Sequence, residues 1–210
     1  LLEQYIGRSP EFSNFLHSIV KQETDKDISS EDLFFRLRND SGSLRRLEAT
    51  PERSVLFHLM YYDLERAMID TEIDVDRLEE KWNALSLHYF NRQGSTLAQE
   101  SILQDPHWMS GEIGRFPAGY MIGTFLAAQI FQKMRDDAPE MLSQLENGDT
   151  GSLFDWMKVK IFRHPRYDHF QEVAKATTGK KLEADAFLKI ATIRDSERAL
   201  RRVSCQKLSA

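Results

Sequence analysis

Apolar residues recur along this chain at spacings of three and four, the period of a helix that is buried on one side. The stretch from residue 51 to 69 follows this pattern, and Leu78, Trp82, Leu85 and Tyr89 repeat it in the next segment. No window alternates apolar and polar residues with the period of two that marks a half-buried strand. The pattern therefore predicts an all-α chain.

Capping residues place the boundaries of these predicted helices. Ser30, followed by acidic residues, predicts a helix over 30–38, and Thr50 before Pro51 predicts the start of the next one. Asp74 caps the helix that follows. The later helices are expected at 117 or 118 to about 137, 139–146, 153–162, 170–177, and from 183 towards 204. No repeat or linker interrupts them, so we expect a single domain over residues 1–210.

Composition narrows the classes of protein to which the chain can belong. With 28 Lys and Arg against 33 Asp and Glu, the net charge is −5, which lacks the basic surplus that nucleic-acid binding needs. The longest apolar stretch, 119–131, is too short to span a bilayer, so we expect no membrane span. The one cysteine, Cys205, cannot form an intramolecular disulfide. We therefore expect a reducing compartment, either the cytoplasm or an organelle interior.

One segment has a different composition. Glycine and proline concentrate between residues 94 and 117, which predicts a loop, and this loop contains Gln104, Asp105, His107 and Trp108. Polar and aromatic loop residues of this kind often bind or react. The alternative is a buried polar knot, in which Gln104 and Asp105 accept from backbone donors and Trp108 packs. The sequence contains no His-Glu-x-x-His and no glycine-rich phosphate loop, so no self-contained active site is visible.

The string 104–108 is similar to the Gln-Asp-x-His-Trp motif of the thermostable carboxypeptidase Taq family of zinc metallocarboxypeptidases. Further segments resemble the motifs of that family in the same order: 7–9, 46–49, 63–67, 114–123 and 127–129. The resemblance covers nearly the whole chain. It implies the C-terminal portion of an elongated, all-helical fold with a groove.

The resemblance also implies roles for individual residues. The groove positions are Arg46, Gln104, Asp105, His107, Trp108 and Tyr120. Arg46 would bind a substrate carboxylate, and Tyr120 and His107 are the candidate catalytic residues. Arg46 also fits a solvated helix face beside Arg45, and Tyr120 also fits a core aromatic residue with its hydroxyl at the surface.

The zinc site of the family lies in a part that this chain does not match. In the family, a His-Glu-x-x-His helix and a later Glu hold the metal shortly before the Gly-Arg-Ser that is 7–9 here. The resemblance thus implies zinc ligands upstream of Leu1, with no metal residue and no cofactor in this chain. Other departures fall on the groove. Thr50 and Pro51 replace an Asp-Glu pair, one extra residue precedes Tyr120, and a helix histidine is offset by one at His58.

We therefore expect the chain alone to be inactive as a peptidase and to serve as a non-catalytic scaffold or interaction subunit. The alternative is the C-terminal part of an active zinc metallocarboxypeptidase that removes C-terminal amino acids from peptides. In either case we expect the apolar faces of such a half-fold to be covered. The cover would be a partner protein, a missing N-terminal part, or further copies in a homo-oligomer or larger assembly.

Overall fold

The structure is a computed structural model of the 210-residue chain. It describes residues 1–38, 50–70, 74–92, 105–163, 169–194 and 196. These residues form helices and no strand, which confirms the all-α prediction. Arg46, Gln104 and Cys205, which the sequence singled out, lie outside the described residues.

The α-helices in chain order are α1 (Pro10–Glu23), α2 (Ser30–Arg38), α3 (Pro51–Ile69), α4 (Leu78–Phe90), α5 (Pro106–Met109), α6 (Phe116–Asp137), α7 (Glu140–Leu145), α8 (Gly151–Met157), α9 (Phe170–Thr178) and α10 (185–194). A 3₁₀ turn precedes α4, and π-helical segments occupy Leu2–Ile6 and Lys158–Phe162. The expected α-helix over 153–162 is therefore α-helical only as far as Met157. The backbone N–H of Arg163 bonds to the carbonyl of Lys158, five residues earlier, at 2.9 Å.

Ser30 and Asp74 are not the N-caps of α2 and α4, contrary to the prediction from the sequence. Ser30 is already the first helical residue of α2, so the residue before it is the cap, and the Ser29 hydroxyl accepts from the Asp32 N–H at 3.1 Å. A 3₁₀ turn separates Asp74 from α4, whose N-cap Arg77 makes no side-chain capping bond.

The predicted start of α3 and the predicted end of α9 are confirmed. The Thr50 hydroxyl accepts a hydrogen bond from the Arg53 N–H at 3.3 Å, and Pro51 occupies the first position of α3. Gly179 ends α9 with φ of +80°, in the left-handed region that glycine adopts without strain. Local chemistry therefore determines where these helices begin and end.

The chain divides into two compact units. The first comprises Leu1–Asn39 and Thr124–Ala210, where α1 packs against α2 and α7, and where Tyr5 stacks on Phe131 at 5.5 Å. The second comprises Asp40–Gly123 and contains the whole of α3, α4 and α5. The expected single domain over 1–210 stays a prediction.

Helices α3 and α4 enclose the core of the second unit. Its centre consists of Met60, Tyr61, Leu64, Leu78 and Trp82, all buried. Burial of one such side chain stabilises a fold by about 1.5–3 kcal/mol, so this cluster holds α3 in place. Trp108 packs against the same cluster from the 105–114 segment, which brings the motif loop onto α3.

None of the described helices combines the length and the apolar character that a membrane crossing requires.

Candidate functional site

The motif loop begins with an acid–histidine pair. Asp105 is the N-cap of α5, because its Oδ1 accepts from the backbone N–H of His107 at 3.0 Å. The same oxygen lies 2.6 Å from Nδ1 of the His107 ring. A carboxylate only accepts hydrogen bonds, so Nδ1 carries the proton and Nε2 is the ring nitrogen that can take up a further one. Asp105 thereby orients His107 and sets its tautomer.

A buried carboxylate on α3 holds this loop. Glu65 Oε1 accepts from the Trp108 indole N–H at 2.7 Å, and Oε2 accepts from the Gly114 backbone N–H, also at 2.7 Å. Glu65 is only 1% exposed. Burial raises the pKa of its carboxyl, because removal from water opposes the charge more strongly than the two hydrogen bonds favour it.

Trp108 is anchored on both its edge and its face. Its indole N–H is bonded to Glu65, and its ring lies 6.2 Å from that of Tyr61 in the core of the second unit. These contacts match the polar-knot interpretation of the motif. A substrate contact through the rest of this half-buried side chain stays a prediction.

Tyr120 lies between two imidazoles. Its ring stacks on that of His58 at 4.7 Å and meets the edge of the His107 ring at 6.2 Å. His58 is buried, and its Nδ1 lies 2.6 Å from the Ser54 carbonyl, so this nitrogen donates. Tyr120 itself is 43% exposed. The extra residue before Tyr120 therefore does not keep it away from His107.

Four of the six expected groove residues are thus described, and all four lie in the second unit: Asp105, His107, Trp108 and Tyr120. Their roles in binding or catalysis stay predictions. Two further residues that sequence reasoning left out of the site are Glu65 and His58, which contact the loop and Tyr120. The sequence signal for them is weak, because Glu65 stands out only as part of the family-like segment 63–67 and His58 only as a histidine offset by one.

The described residues do not fit a zinc ion. A zinc site needs at least three protein ligands. In the part of the chain that the structure describes, no three His, Cys, Asp or Glu side chains converge to hold a metal. Both oxygens of Glu65 accept from the loop, and Oδ1 of Asp105 is bonded to His107. What the arrangement offers instead is an oriented imidazole beside an exposed phenol, which suits hydrogen bonding to a polar group.

Comparisons with known proteins identify the family of the chain. The model of the family described as carboxypeptidase Taq (M32) metallopeptidase matches residues 1–194. Carboxypeptidase 1 of Bacillus subtilis (strain 168) is 32% identical over 183 residues, which are 86% of this chain and 36% of that protein. Thermostable carboxypeptidase 1 of Pyrococcus furiosus is 29% identical over 189 residues, or 89% of this chain and 38% of that protein.

The solved structures give the same result. The M32 carboxypeptidase from Deinococcus radiodurans R1 superposes with a TM-score of 0.79 and 26% identity, over 91% of this chain and 39% of that one. The chain thus spans less than two fifths of the length of each of these three relatives.

Proposed function

Because this chain belongs to the carboxypeptidase Taq (M32) metallopeptidase family, we propose that it is a carboxypeptidase-like domain that acts without catalysis, as a scaffold or interaction subunit. In this role, the face formed by Asp105, His107 and Tyr120 binds a polar group of a partner and does not cleave it.

The observation that carries the proposal is the start of α3. The family pattern has an Asp-Glu pair where this chain has Thr50 and Pro51, and both of these residues are buried. The Thr50 hydroxyl caps the helix at Arg53, and Pro51 forms its first turn. Neither residue can act as an acid, a base or a charged ligand. This change supports a role in binding over one in hydrolysis.

Glu65 does not distinguish binding from hydrolysis, because it lies in the 63–67 segment that resembles a motif of the family. Its carboxylate accepts from both Trp108 and Gly114, so we assign it a structural role and not that of a general base. The chemistry left to this face is the hydrogen bonding of His107 and Tyr120.

The test uses the purified chain together with full-length Carboxypeptidase 1 of B. subtilis as positive control. Zinc content is measured by mass spectrometry after incubation with zinc and desalting, and release of C-terminal residues from a peptide is followed by chromatography. We expect no stoichiometric zinc and no release from this chain. Stoichiometric zinc together with turnover by this chain alone would overturn the proposal.

The proposal includes a covering partner, which is another protein, an N-terminal part or a second copy, in a reducing compartment. Exposed apolar side chains such as Ile69 and Leu87 of the second unit support such a cover. Sedimentation of the purified chain tests it. A monodisperse monomer that stays soluble at high concentration would argue against the need for a partner.

A second candidate is the substrate-binding part of an active zinc metallocarboxypeptidase. The Asp105–His107 pair beside Tyr120 favours it, because an oriented imidazole and a phenol suit the binding of a polarised carbonyl. An in-frame His-Glu-x-x-His upstream of Leu1 in the gene, with turnover by the longer product that His107→Ala abolishes, would establish it. A longer product that stays inactive would exclude it.

A further inference from the structure

We propose that Glu65 is the positioning residue of this site: its carboxylate fixes the 105–114 loop on α3 and so sets the orientation of His107 against Tyr120. This inference rests on the proposed function only for the identity of the group that the site binds. The orientation of His107 by Glu65 does not depend on it.

We call the Glu65 carboxylate with its bonds to Trp108 and Gly114 the clamp. The part of α3 that carries it is rigid. Glu65 lies in α3 between Leu64 and Ala67, which are both buried. Met60 and Leu64 belong to the core cluster of the second unit, so the backbone that carries Glu65 has little freedom to move. A carboxylate on such a helix is a fixed reference point for a loop.

The clamp holds the loop at two points, and both follow the Asp105–His107 pair in the chain. Trp108, which donates to Oε1 at 2.7 Å, directly follows His107 in the chain. Gly114, which donates to Oε2 at 2.7 Å, lies at the far end with φ of +75°, a conformation that glycine adopts without strain. Displacement of Trp108 would therefore turn the single helical turn on which His107 stands.

The chemistry of the clamp requires a carboxylate. Both partners of Glu65 are N–H donors, and only a carboxylate presents an acceptor to each of them. A glutamine of the same shape offers one acceptor and one NH₂ group, so one N–H of the loop would face another donor. Bonds of this kind to a charged acceptor are among the stronger ones in proteins.

The experiment compares Glu65→Gln with Asp63→Asn in the full chain. Asp63 is a matched control, because it is a carboxylate of the same helix that accepts from Tyr89 of α4 at 2.5 Å and has no bond to the loop. The readouts are the ring ¹⁵N signals of His107, which report its tautomer, and hydrogen exchange of the Trp108 indole proton.

In Glu65→Gln we expect the His107 ring signals to shift and the indole protection to fall by about tenfold or more, as the loss of a charge-assisted hydrogen bond implies. In Asp63→Asn we expect both readouts to stay as in the unchanged chain. A folded Glu65→Gln variant with unchanged His107 and Trp108 signals would overturn the inference.

If Glu65→Gln fails to fold, Trp108→Phe decides the question from the side of the loop. Phenylalanine keeps an aromatic ring but removes the N–H that reaches Glu65, so the His107 signals should shift; unchanged signals would overturn the inference. Both readouts are independent of zinc and turnover. If the chain proved to bind zinc and turn over a peptide, the expected NMR and exchange results would still hold. If those results failed, the zinc and peptide measurements would still test the proposed function.

Discussion

In each compact unit a side chain of a long helix bonds to a loop, but the two side chains compared, Gln129 and Glu65, differ in charge. In the first unit, Gln129 of α6 donates to Thr178 Oγ1 at 2.9 Å and to the Lys181 carbonyl at 3.0 Å, and accepts from the Glu183 N–H at 3.1 Å. In the second unit, Glu65 only accepts. A neutral amide suits a loop that presents donors and acceptors, whereas a loop that presents two donors requires a carboxylate.

The difference between Gln129 and Glu65 shows where this chain buries a charged group, which requires free energy for its removal from water. Gln129 with its three bonds is the clamp of the first unit, and it is neutral and partly exposed to solvent. The clamp in the second unit is charged and buried, and it lies under the loop that carries Asp105 and His107. The chain thus buries a charged side chain at the candidate site, where it fixes the orientation of the loop. At the contact of Gln129 in the first unit it uses a neutral side chain.

The largest expected effect separates the two clamps directly. Glu65→Ala leaves two half-buried N–H groups without their acceptor and should lower the free energy of unfolding by about 2–4 kcal/mol. Gln129→Ala removes three bonds, but water can replace those that lie in exposed positions, so we expect about 1–2 kcal/mol. Urea unfolding of both variants checks this order. Equal losses would show that burial of the clamp does not set its contribution.

A change of charge in the first unit tests the donor and acceptor argument. Gln129→Glu removes the NH₂ group and places a carboxylate oxygen against the Lys181 carbonyl. We expect a loss of roughly 1 kcal/mol. Three lysines and three acidic residues line the cavity beside Gln129, so their effects on the new charge oppose each other and salt should change the loss little. A stabilised variant would contradict the argument.

The same comparison shows how far sequence reasoning reaches. Helix starts at Ser30 and Pro51 and the stop at Gly179 were predictable, because capping is a matter of adjacent residues. The motif loop was predictable as a unit, since its residues are neighbours in sequence. The bond from Trp108 to Glu65 and the stacking of His58 on Tyr120 were not, because they join residues far apart in the chain. Such pairings depend on how helices pack, which no local pattern encodes.

The hydrogen bond between α3 and α4 should contribute less than the clamp on the same helix. Tyr89 donates to Asp63 at 2.5 Å, and burial, with help from Asp63, raises the pKa of Tyr89 to about 12, so the hydroxyl keeps its proton at neutral pH. Tyr89→Phe should lower the free energy of unfolding by about 1 kcal/mol. Tyr62→Phe, at an exposed position of α3, is the control and should have no measurable effect. A loss from the control as large as that from Tyr89→Phe would mean that the bond to Asp63 is not the source of the effect.

The smallest effect we expect is the pH dependence that Glu65 contributes to stability. Burial raises the pKa of Glu65 above its ordinary value of 4.5, so the folded chain binds this proton more tightly than the unfolded chain does. The stability linked to this group is therefore fully present below pH 4.5 and declines as the pH rises through the folded pKa. Urea unfolding from pH 4.5 to 8 should show the advantage of the unchanged chain over Glu65→Gln shrinking with rising pH. The advantage over Gln129→Ala should stay constant, because both chains keep Glu65 and an amide does not titrate. If the difference in free energy of unfolding between the unchanged chain and Glu65→Gln grew with rising pH, the two N–H bonds would outweigh burial in their effect on the pKa. The charged form of Glu65 would then be the stabilising one.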